Sequence, residues 1–257
     1  MYLPIPSQPD CANAWLEAIK AVDGQAGHQA HNVIIDVADP TAGNTRANNI
    51  VELVDDFLLE RGKSVTCIAN TIFPYALYRR HGHPKFTQVF KDIVLPKVRK
   101  MNKWSGYYFE RMIDFPTANG KSIDQLSEII KRLNDPKINS LNKHELSLFD
   151  PERDVDNSPY GRQCLSYLSF KLTSGAEKKL NLTALYRNQY YMEKLLGNLI
   201  GLGRLMEFVA AESQISVGSL TVISTHAEID LPSCNRPEFL QLLDTCRKAG
   251  QANPTAS

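Results

Sequence analysis

The 257-residue chain lacks an excess of charge of either sign: 29 Lys and Arg face 28 Asp and Glu, a formal charge of +1. A surface that tracks a nucleic-acid backbone normally carries a basic excess, so generic nucleic-acid binding is disfavoured. The chain also lacks an apolar run near the roughly 20 residues that a membrane-spanning helix needs. The longest approach, Leu195 to Ala211, is broken by Asn198, Arg204 and Glu207. No basic-then-apolar leader opens the sequence. The five cysteines, Cys11, Cys67, Cys164, Cys234 and Cys246, are odd in number and contain no CxxC pair. That spacing suggests neither a disulfide framework nor a metal site. Internal repeats and low-complexity tracts are missing too. These absences point to a cytoplasmic protein whose cysteines are reduced and, taken one by one, better read as buried filler than as nucleophiles.

What is present suits a globular chain. Hydrophobic residues make up 43% and charged residues 22%, enough apolar surface to offset chain entropy over most of the length. We expect one domain over residues 1–257, with an irregular Pro-rich lead at 1–10 and a loose polar tail at 250–257. Trp15, Ala18, Ile19 and Val22 stand at helical spacing. Asn32 to Val37 reads as a strand, Asn49 to Glu60 as an amphipathic helix stopped by Gly62, and Ser64 to Phe73 as a strand. Lys85 to Lys100 is helical in pattern, with Pro96 expected to kink or end it. Ser122 is the expected cap of a helix over Ile123 to Leu133. His144 to Phe149 reads as a short strand stopped by Asp150-Pro151. Cys164 to Leu172 and Leu180 to Tyr186 alternate and form an expected hairpin. Tyr191 to Glu212 is one long apolar helix, Ser219 to Ile229 a strand, and Glu238 to Lys248 a closing helix. Helices and antiparallel strands interleave without a regular βαβ beat, so the expected class is α+β: a mixed sheet packed against helices, with a long buried helix at its centre.

Four residues in the second half could carry chemistry. Cys164 opens a strand after a Pro159-Tyr160-Gly161 turn, a position at a sheet rim, and Arg162 nearby would favour its thiolate. Arg187 ends the next strand; a guanidinium suits a phosphate. Asn198 sits among leucines and glycines on the long helix, where an unpaired amide is costly. An amide that both donates and accepts suits the edge of a pyrimidine ring. His226 lies on the last strand. Singly each has an ordinary reading: a surface ion pair for Arg187, a backbone cap for Asn198, a plain strand residue for His226. Together they describe a pocket with a thiol, an anion-binding cation, a bidentate amide and an imidazole.

In these blocks the sequence resembles the thymidylate synthase superfamily, which includes the pyrimidine hydroxymethylases. The blocks are the helix Ile123-Asp-Gln-Leu-Ser-Glu-Ile-Ile-Lys-Arg-Leu, Leu146-Ser-Leu-Phe-Asp-Pro151, Cys164-Leu-Ser-Tyr-Leu-Ser-Phe-Lys-Leu, Tyr186-Arg-Asn-Gln-Tyr with Gly197-Asn-Leu-Ile, and Gly218-Ser-Leu with Thr225-His-Ala-Glu. The likeness covers residues 120 to 230; earlier, only Trp104 to Arg111 is similar to a family motif. The resemblance implies that Cys164 adds to C6 of a pyrimidine, that Arg187 grips the 5′-phosphate, that Asn198 reads the O4/N3 edge and that His226 contacts the sugar. Tyr107 or Tyr108 would line the pocket near the base. It implies a homodimer through the sheet face, in which two arginines reach the phosphate from the partner subunit; here those positions hold Asn142 and Lys143.

The departures are as specific. Leu165 follows the nucleophile where the family has His. Asn188 replaces a phosphate-binding Ser, Tyr190 replaces the folate-binding Asp, and Glu228 replaces the sugar-binding Tyr. The segment that closes over folate is not recognisable in Gln251 to Ser257. The resemblance therefore implies a pyrimidine nucleotide C5 methyl- or hydroxymethyltransferase, a cytoplasmic homodimer acting on a nucleoside monophosphate, with 5,10-methylenetetrahydrofolate as one-carbon donor and no metal. Asn198 favours a uracil-type base. A second expectation, from Leu165 and Tyr190, is a nucleotide-binding or assembly protein that has lost folate chemistry. A third keeps the cysteine and takes a nucleotide inside a larger molecule, which the neutral charge disfavours.

Overall fold

A computed structural model describes residues 2–100, 107–138, 140–155, 163–175, 177–231 and 234–252. The chain opens with a short strand, β1 (Leu3–Pro4), and helix α1 (Cys11–Asp23). Asp10 caps α1 by accepting from the Asn13 amide at 2.8 Å, and Trp15, Ile19 and Val22 form its buried stripe. Strand β2 (Gln29–Val37) leads to α2 (Asn49–Leu59), where Asn48 caps Ile50 and Val51. Gly62, just past that helix, has φ +70°, a conformation that L side chains rarely adopt.

Helix α3 (Val65–Ile72) occupies the segment expected as a strand. Its β-branched residues favour a strand, but two local bonds fix a helix start. Ser64 accepts from the Cys67 amide at 3.0 Å, and the buried Asp55 accepts from the Val65 amide at 2.9 Å. Burial against a later helix supplies the rest, so tertiary packing outweighs propensity. Helix α4 (Tyr75–His81) was not expected. It precedes α5 (Lys85–Val89), a π-helical turn at Phe90–Val94, and α6 (Leu95–Val98). Pro96 does not end this stretch. It stands in the first turn of α6, where its missing N–H is tolerated.

Helix α7 (Tyr108–Ile113) and the hairpin of β3 (Phe115–Pro116) and β4 (Ser122–Ile123) come next. Helix α8 (Gln125–Leu133) is capped by Asp124 and not by Ser122; Ile123 lies in β4 and is exposed. Asp124 is better placed because its carboxylate reaches the Ser127 amide at 2.9 Å while Ser122 turns to Asp114. Strand β5 (Glu145–Ser147), helix α9 (Pro151–Asp154), strands β6 (Leu165–Leu172), β7 (Lys179–Tyr186) and β8 (Gln189–Tyr190), helix α10 (Leu196–Glu212), strand β9 (Ser216–Glu228) and helix α11 (Arg236–Ala252) complete the fold.

The architecture is α+β. Among the described residues, a mixed sheet runs in the order β1-β2-β9-β7-β6-β5, with β8 pairing with β9 beyond the end of β7. Strands β6 and β7 form the antiparallel hairpin read from their alternation. The lead is not wholly irregular, because Leu3–Pro4 pairs with β2. At the other end α11 runs to Ala252, into the segment expected as loose, and residues 253–257 lie outside the described residues. In β7, Leu180, Leu182, Ala184 and Tyr186 are buried and the alternate residues are partly exposed, so one sheet face carries the core. That face meets α10, which is buried along most of its length. A π-helical turn at Tyr191–Leu195 precedes α10, so the long helix expected from Tyr191 has an irregular start. Glycines let α10 approach its neighbours closely: a Cβ on Gly197 would stand 2.6 Å from the Ile68 Cβ, and one on Gly203 would stand 2.0 Å from the Pro40 carbonyl oxygen. Among the described residues, no helix is long and apolar enough to cross a membrane.

Candidate functional site

The sheet brings the predicted chemistry to one rim. Strand β6 starts where β7 ends, with Leu165 opposite Tyr186, and the Arg187 amide donates to the Cys164 carbonyl at 2.9 Å. Strand β9 runs parallel to β7 with Ser224 opposite Tyr186, which carries His226 to the same rim. Thr225 donates its hydroxyl to the Arg187 carbonyl at 2.9 Å and locks the two strand ends together. The chain then continues in the same direction as β8, parallel to β9, placing Tyr190 opposite Glu228.

Cys164 is half-buried. Its amide donates to the Tyr108 hydroxyl at 3.3 Å. Burial pushes the thiol above its ordinary value; the positive charges of Lys194 and Arg187 oppose this, and Asp154 adds to it. The neutral thiol is thus the resting form at pH 7. The Tyr108 hydroxyl is also pushed up, by burial and by the neighbouring Cys164. Beside both lies Tyr186, fully buried, whose hydroxyl has no hydrogen-bond partner among the described residues. Gln163 and Gln189 share that state in part. Gln163 donates to the Tyr107 carbonyl at 3.0 Å but its amide oxygen is buried and unpartnered. Gln189 accepts from Ser224 at 2.6 Å while its amide nitrogen is unpartnered. Orphaned polar atoms on Gln163, next to Cys164 in the chain, and on Tyr186, opposite Leu165, are costly in a core and suit a place that a polar ligand completes.

Arg187 spends two donors on carbonyls: Nε on Gln163 at 3.2 Å and Nη1 on Asp154 at 3.3 Å. Its guanidinium also lies 5.5 Å from the Phe149 ring centroid. Among the described residues it forms no ion pair, so its remaining N–H groups can face an anion. Asn198 stands in the first turn of α10, 3% exposed, and its amide has no hydrogen-bond partner among the described residues. His226 is engaged on both ring nitrogens, by Asn188 at 2.5 Å and Gln29 at 3.0 Å, with the His31 ring 5.3 Å away. Tyr190 is half-buried; burial, and then Glu228, raises its hydroxyl, and a hydrogen bond with Asn188 opposes them.

Lys143 stands apart, while Tyr107 meets Gln163 through its backbone carbonyl. The Tyr107 ring packs edge-on against Phe90 at 6.0 Å. Lys143 is exposed and precedes β5, whose neighbour His144 accepts from the Phe170 amide at 3.0 Å. That register sets Lys143 six or more strand residues from Cys164, roughly 20 Å at about 3.3 Å per residue. Arg162 and the Pro159-Tyr160-Gly161 turn, together with Trp104, lie outside the described residues. Sequence reasoning missed Gln163, Tyr186, Gln189 and Lys194. The first three flank Cys164 and Arg187 in sequence, which was the available signal. Lys194 had none, because its position depends on the π-helical turn.

The geometry can be set beside known proteins. No family model matches the chain. Proteins named "Putative thymidylate synthase" are similar to it in three archaea. The one from Methanopyrus kandleri is 32% identical over 113 residues, 43% of this chain and 51% of the relative. The one from Methanocaldococcus jannaschii is 31% identical over 134 residues, 50% of this chain and 58% of the relative. The one from Methanothermobacter thermautotrophicus is 32% identical over 109 residues, 42% and 45%. The chain spans about half the length of the curated relatives it matches. Over 42–50% of its length the chain is similar to these thymidylate synthase-like proteins.

Proposed function

We propose that this protein binds a pyrimidine nucleoside monophosphate at the Cys164 rim and transfers a one-carbon unit to C5 of the base, as a methyl- or hydroxymethyltransferase. The observation that carries the reading is the convergence at one sheet end of Cys164, the Arg187 guanidinium, which forms no ion pair among the described residues, and the buried Tyr186 hydroxyl, which has no hydrogen-bond partner among them, with the buried Asn198 in the first turn of α10. The thymidylate synthase-like relatives support the same substrate class.

The chemistry asked of Cys164 is covalent catalysis. Its sulfur, as thiolate, bonds to C6, and the C5–C6 π pair moves onto C5 and O4. C5 then bonds to the electrophilic carbon of the donor as the bond to the donor's carrier breaks and the carrier keeps that pair; a donor at the methyl oxidation level leaves a methyl group, and one at the formaldehyde level leaves a hydroxymethyl group after adding water. Loss of the C5 proton and departure of the thiolate restore the ring. Arg187 holds the phosphate through charge-assisted bonds. The Asn198 amide complements uracil, donating to O4 and accepting from N3–H. His226 reaches a sugar hydroxyl only by exchanging its bond to Asn188 or Gln29.

The residues around Tyr190 do not fit the folate contact that the resemblance implies. A phenol replaces the carboxylate, and the Lys194 ammonium lies 5.3 Å from its ring centroid. No step is therefore derived through folate, and the donor stays defined only as a one-carbon electrophile. Lys143 is too distant to meet the phosphate in its own chain. A second copy, docked on the partly exposed sheet face of Tyr167, Thr183, Leu185, Thr221 and Ile223, would have to bring it.

Calorimetric titration with dUMP, UMP, dCMP and CMP tests this reading. One of the four binds the wild type, and Arg187→Ala weakens it about tenfold or more, the loss of a charged hydrogen bond. Asn198→Asp shifts preference from uracil toward cytosine. No binding of any of the four, or an unaltered affinity in Arg187→Ala, overturns it.

A further inference from the structure

The charge of the chain is balanced in total but not along its length. Residues 75–100 hold seven Lys and Arg and one acid, Asp92, which leaves 22 cations against 27 acids in the remainder. That segment is a layer of short helices. α5, the π-helical turn at Phe90–Val94 and α6 join through backbone in the α region. They make one helical stretch roughly 21 Å long at about 1.5 Å per residue. Burial fixes the inner side of the layer. Phe86, Phe90 and Leu95 are buried, and the Tyr78 and Phe86 rings meet at 5.3 Å. The Tyr75 and Tyr78 hydroxyls donate to Glu207 and Glu212 of α10, each at 3.0 Å.

The cations lie on the outside. Lys91 pairs with Asp114 at 3.0 Å and Arg99 pairs with Glu110, which ties the layer to α7 and its C-terminal cap. Arg79, Arg80, Lys85, Lys97 and Lys100 are exposed and form no ion pair among the described residues. The one acid of the segment, Asp92, accepts from Gln88 at 2.8 Å. Surface cations elsewhere have acids beside them, as Lys131 has Glu128 and Lys248 has Asp244. Five uncompensated cations on one layer make a positive field that attracts a polyanion. The layer also adjoins the Cys164 rim. The Phe90 ring meets the Tyr107 ring at 6.0 Å, and the Tyr107 carbonyl accepts from Gln163 at 3.0 Å. The next residue, Tyr108, accepts from the Cys164 amide at 3.3 Å.

We propose that this layer is a docking surface for single-stranded nucleic acid, whose phosphates lie on Arg79, Arg80, Lys85, Lys97 and Lys100. The net charge of +1 disfavours such a partner only while the charge is taken as evenly spread. A lipid surface fits less well, because the apolar side that would insert is already buried in the core. The choice of a polynucleotide among polyanions rests on the reading of the adjoining rim as a pyrimidine site. A base reaches such a rim only outside a duplex stack, hence the single strand.

The experiment is fluorescence anisotropy of a labelled oligouridylate of about 20 nucleotides with the full chain, between about 50 and about 200 mM salt. Five phosphate contacts predict a slope of log K against log salt of about −3 to −4. The variant carrying Lys85→Gln, Lys97→Gln and Lys100→Gln binds about tenfold or more weakly at the low salt and its slope falls by about 2. Lys178→Gln with Lys179→Gln, exposed cations at the far end of the β6–β7 hairpin, changes affinity less than about twofold. Polyglutamate of matched charge competes weakly. Absence of binding at the low salt overturns the proposal. So does a triple variant that melts and binds like the wild type, a hairpin pair that weakens binding as much as the triple variant, or polyglutamate that competes as well as the oligonucleotide. The result is separate from the mononucleotide titration: a chain that binds none of the four nucleotides still passes or fails here on its lysines and its salt slope.

Discussion

Arg111 and Asp154 form a two-point ion pair inside the protein, and Asp154 also turns its backbone carbonyl to the Arg187 guanidinium at 3.3 Å. The same Arg111 donates to the Leu148 carbonyl at 2.6 Å, and the Asp154 carboxylate accepts from the Asp150 amide at 2.9 Å. One buried pair therefore ties α7, the end of β5 and α9 to the arginine that the proposed function assigns to phosphate.

Breaking that pair strands a charge. Arg111→Met leaves the enclosed Asp154 carboxylate alone and is expected to cost about 3–5 kcal/mol, read as a lowered urea midpoint. Burial pushes the Asp154 carboxyl up, but the Arg111 bonds and the Asp150 amide hold it below its ordinary 3.8. A depressed carboxylate stabilises the fold above its unfolded value and loses that contribution as pH falls through the folded value. Wild type should thus lose stability below about pH 4 more steeply than Asp154→Asn. Equal acid slopes would contradict the assignment.

Asp230 behaves in the opposite sense. Burial raises it to about 7, with Lys194 and the Met192 amide opposing and Glu228 adding. A carboxyl raised on folding takes up a proton in the folded state, so its contribution to stability is full below the unfolded value and is lost as pH rises from about 4 to about 7. Asp230→Asn keeps an acceptor for the Met192 amide and removes the titration. Its stability relative to wild type should grow across that window, by at most about 4 kcal/mol, and then level off. A difference that stays constant from pH 4 to pH 8 refutes it.

Two glycines separate packing from propensity. Alanine favours a helix interior over glycine by about 1 kcal/mol. In Gly203→Ala the new Cβ would stand 2.0 Å from the Pro40 carbonyl oxygen, a backbone atom. The clash should outweigh propensity and cost about 1–3 kcal/mol net. In Gly250→Ala of α11 the nearest atom is the Ile50 Cδ1 at 3.4 Å. That variant should be neutral or stabilised by up to about 1 kcal/mol. Denaturant midpoints of the two variants should therefore move in opposite directions, or the first alone should fall.

Periodicity made much of the fold legible. The stripe of Trp15, Ile19 and Val22 gave α1, and the alternation from Leu180 to Tyr186 gave β7 and with it the hairpin. Ser64 to Phe73 misled because the helix there depends on Asp55, distant in sequence, and on glycines of α10 that admit it. Ser122 misled because side-chain direction decides the cap: Ser122 turns to Asp114, and Asp124, two residues on, reaches the Ser127 amide. At the site, the order Cys164, Arg187, His226 was readable, and the sheet register brings those residues to one rim. What was hidden depends on contacts between elements: the Tyr186 hydroxyl, unpartnered among the described residues, the double engagement of His226, and the π turn that sets Lys194 beside the Tyr190 ring.

The central claim is that Cys164 activates C5 of a pyrimidine. The direct measurement is tritium release to water from C5-tritiated dUMP, UMP, dCMP and CMP, with and without added one-carbon donors. We predict release from one of them by the wild type and loss of release in Cys164→Ala, with nucleotide binding retained. Release that persists in Cys164→Ala would contradict the account. So would its absence with all four substrates in a protein that still binds one of them, which would leave a nucleotide-binding protein without the covalent step.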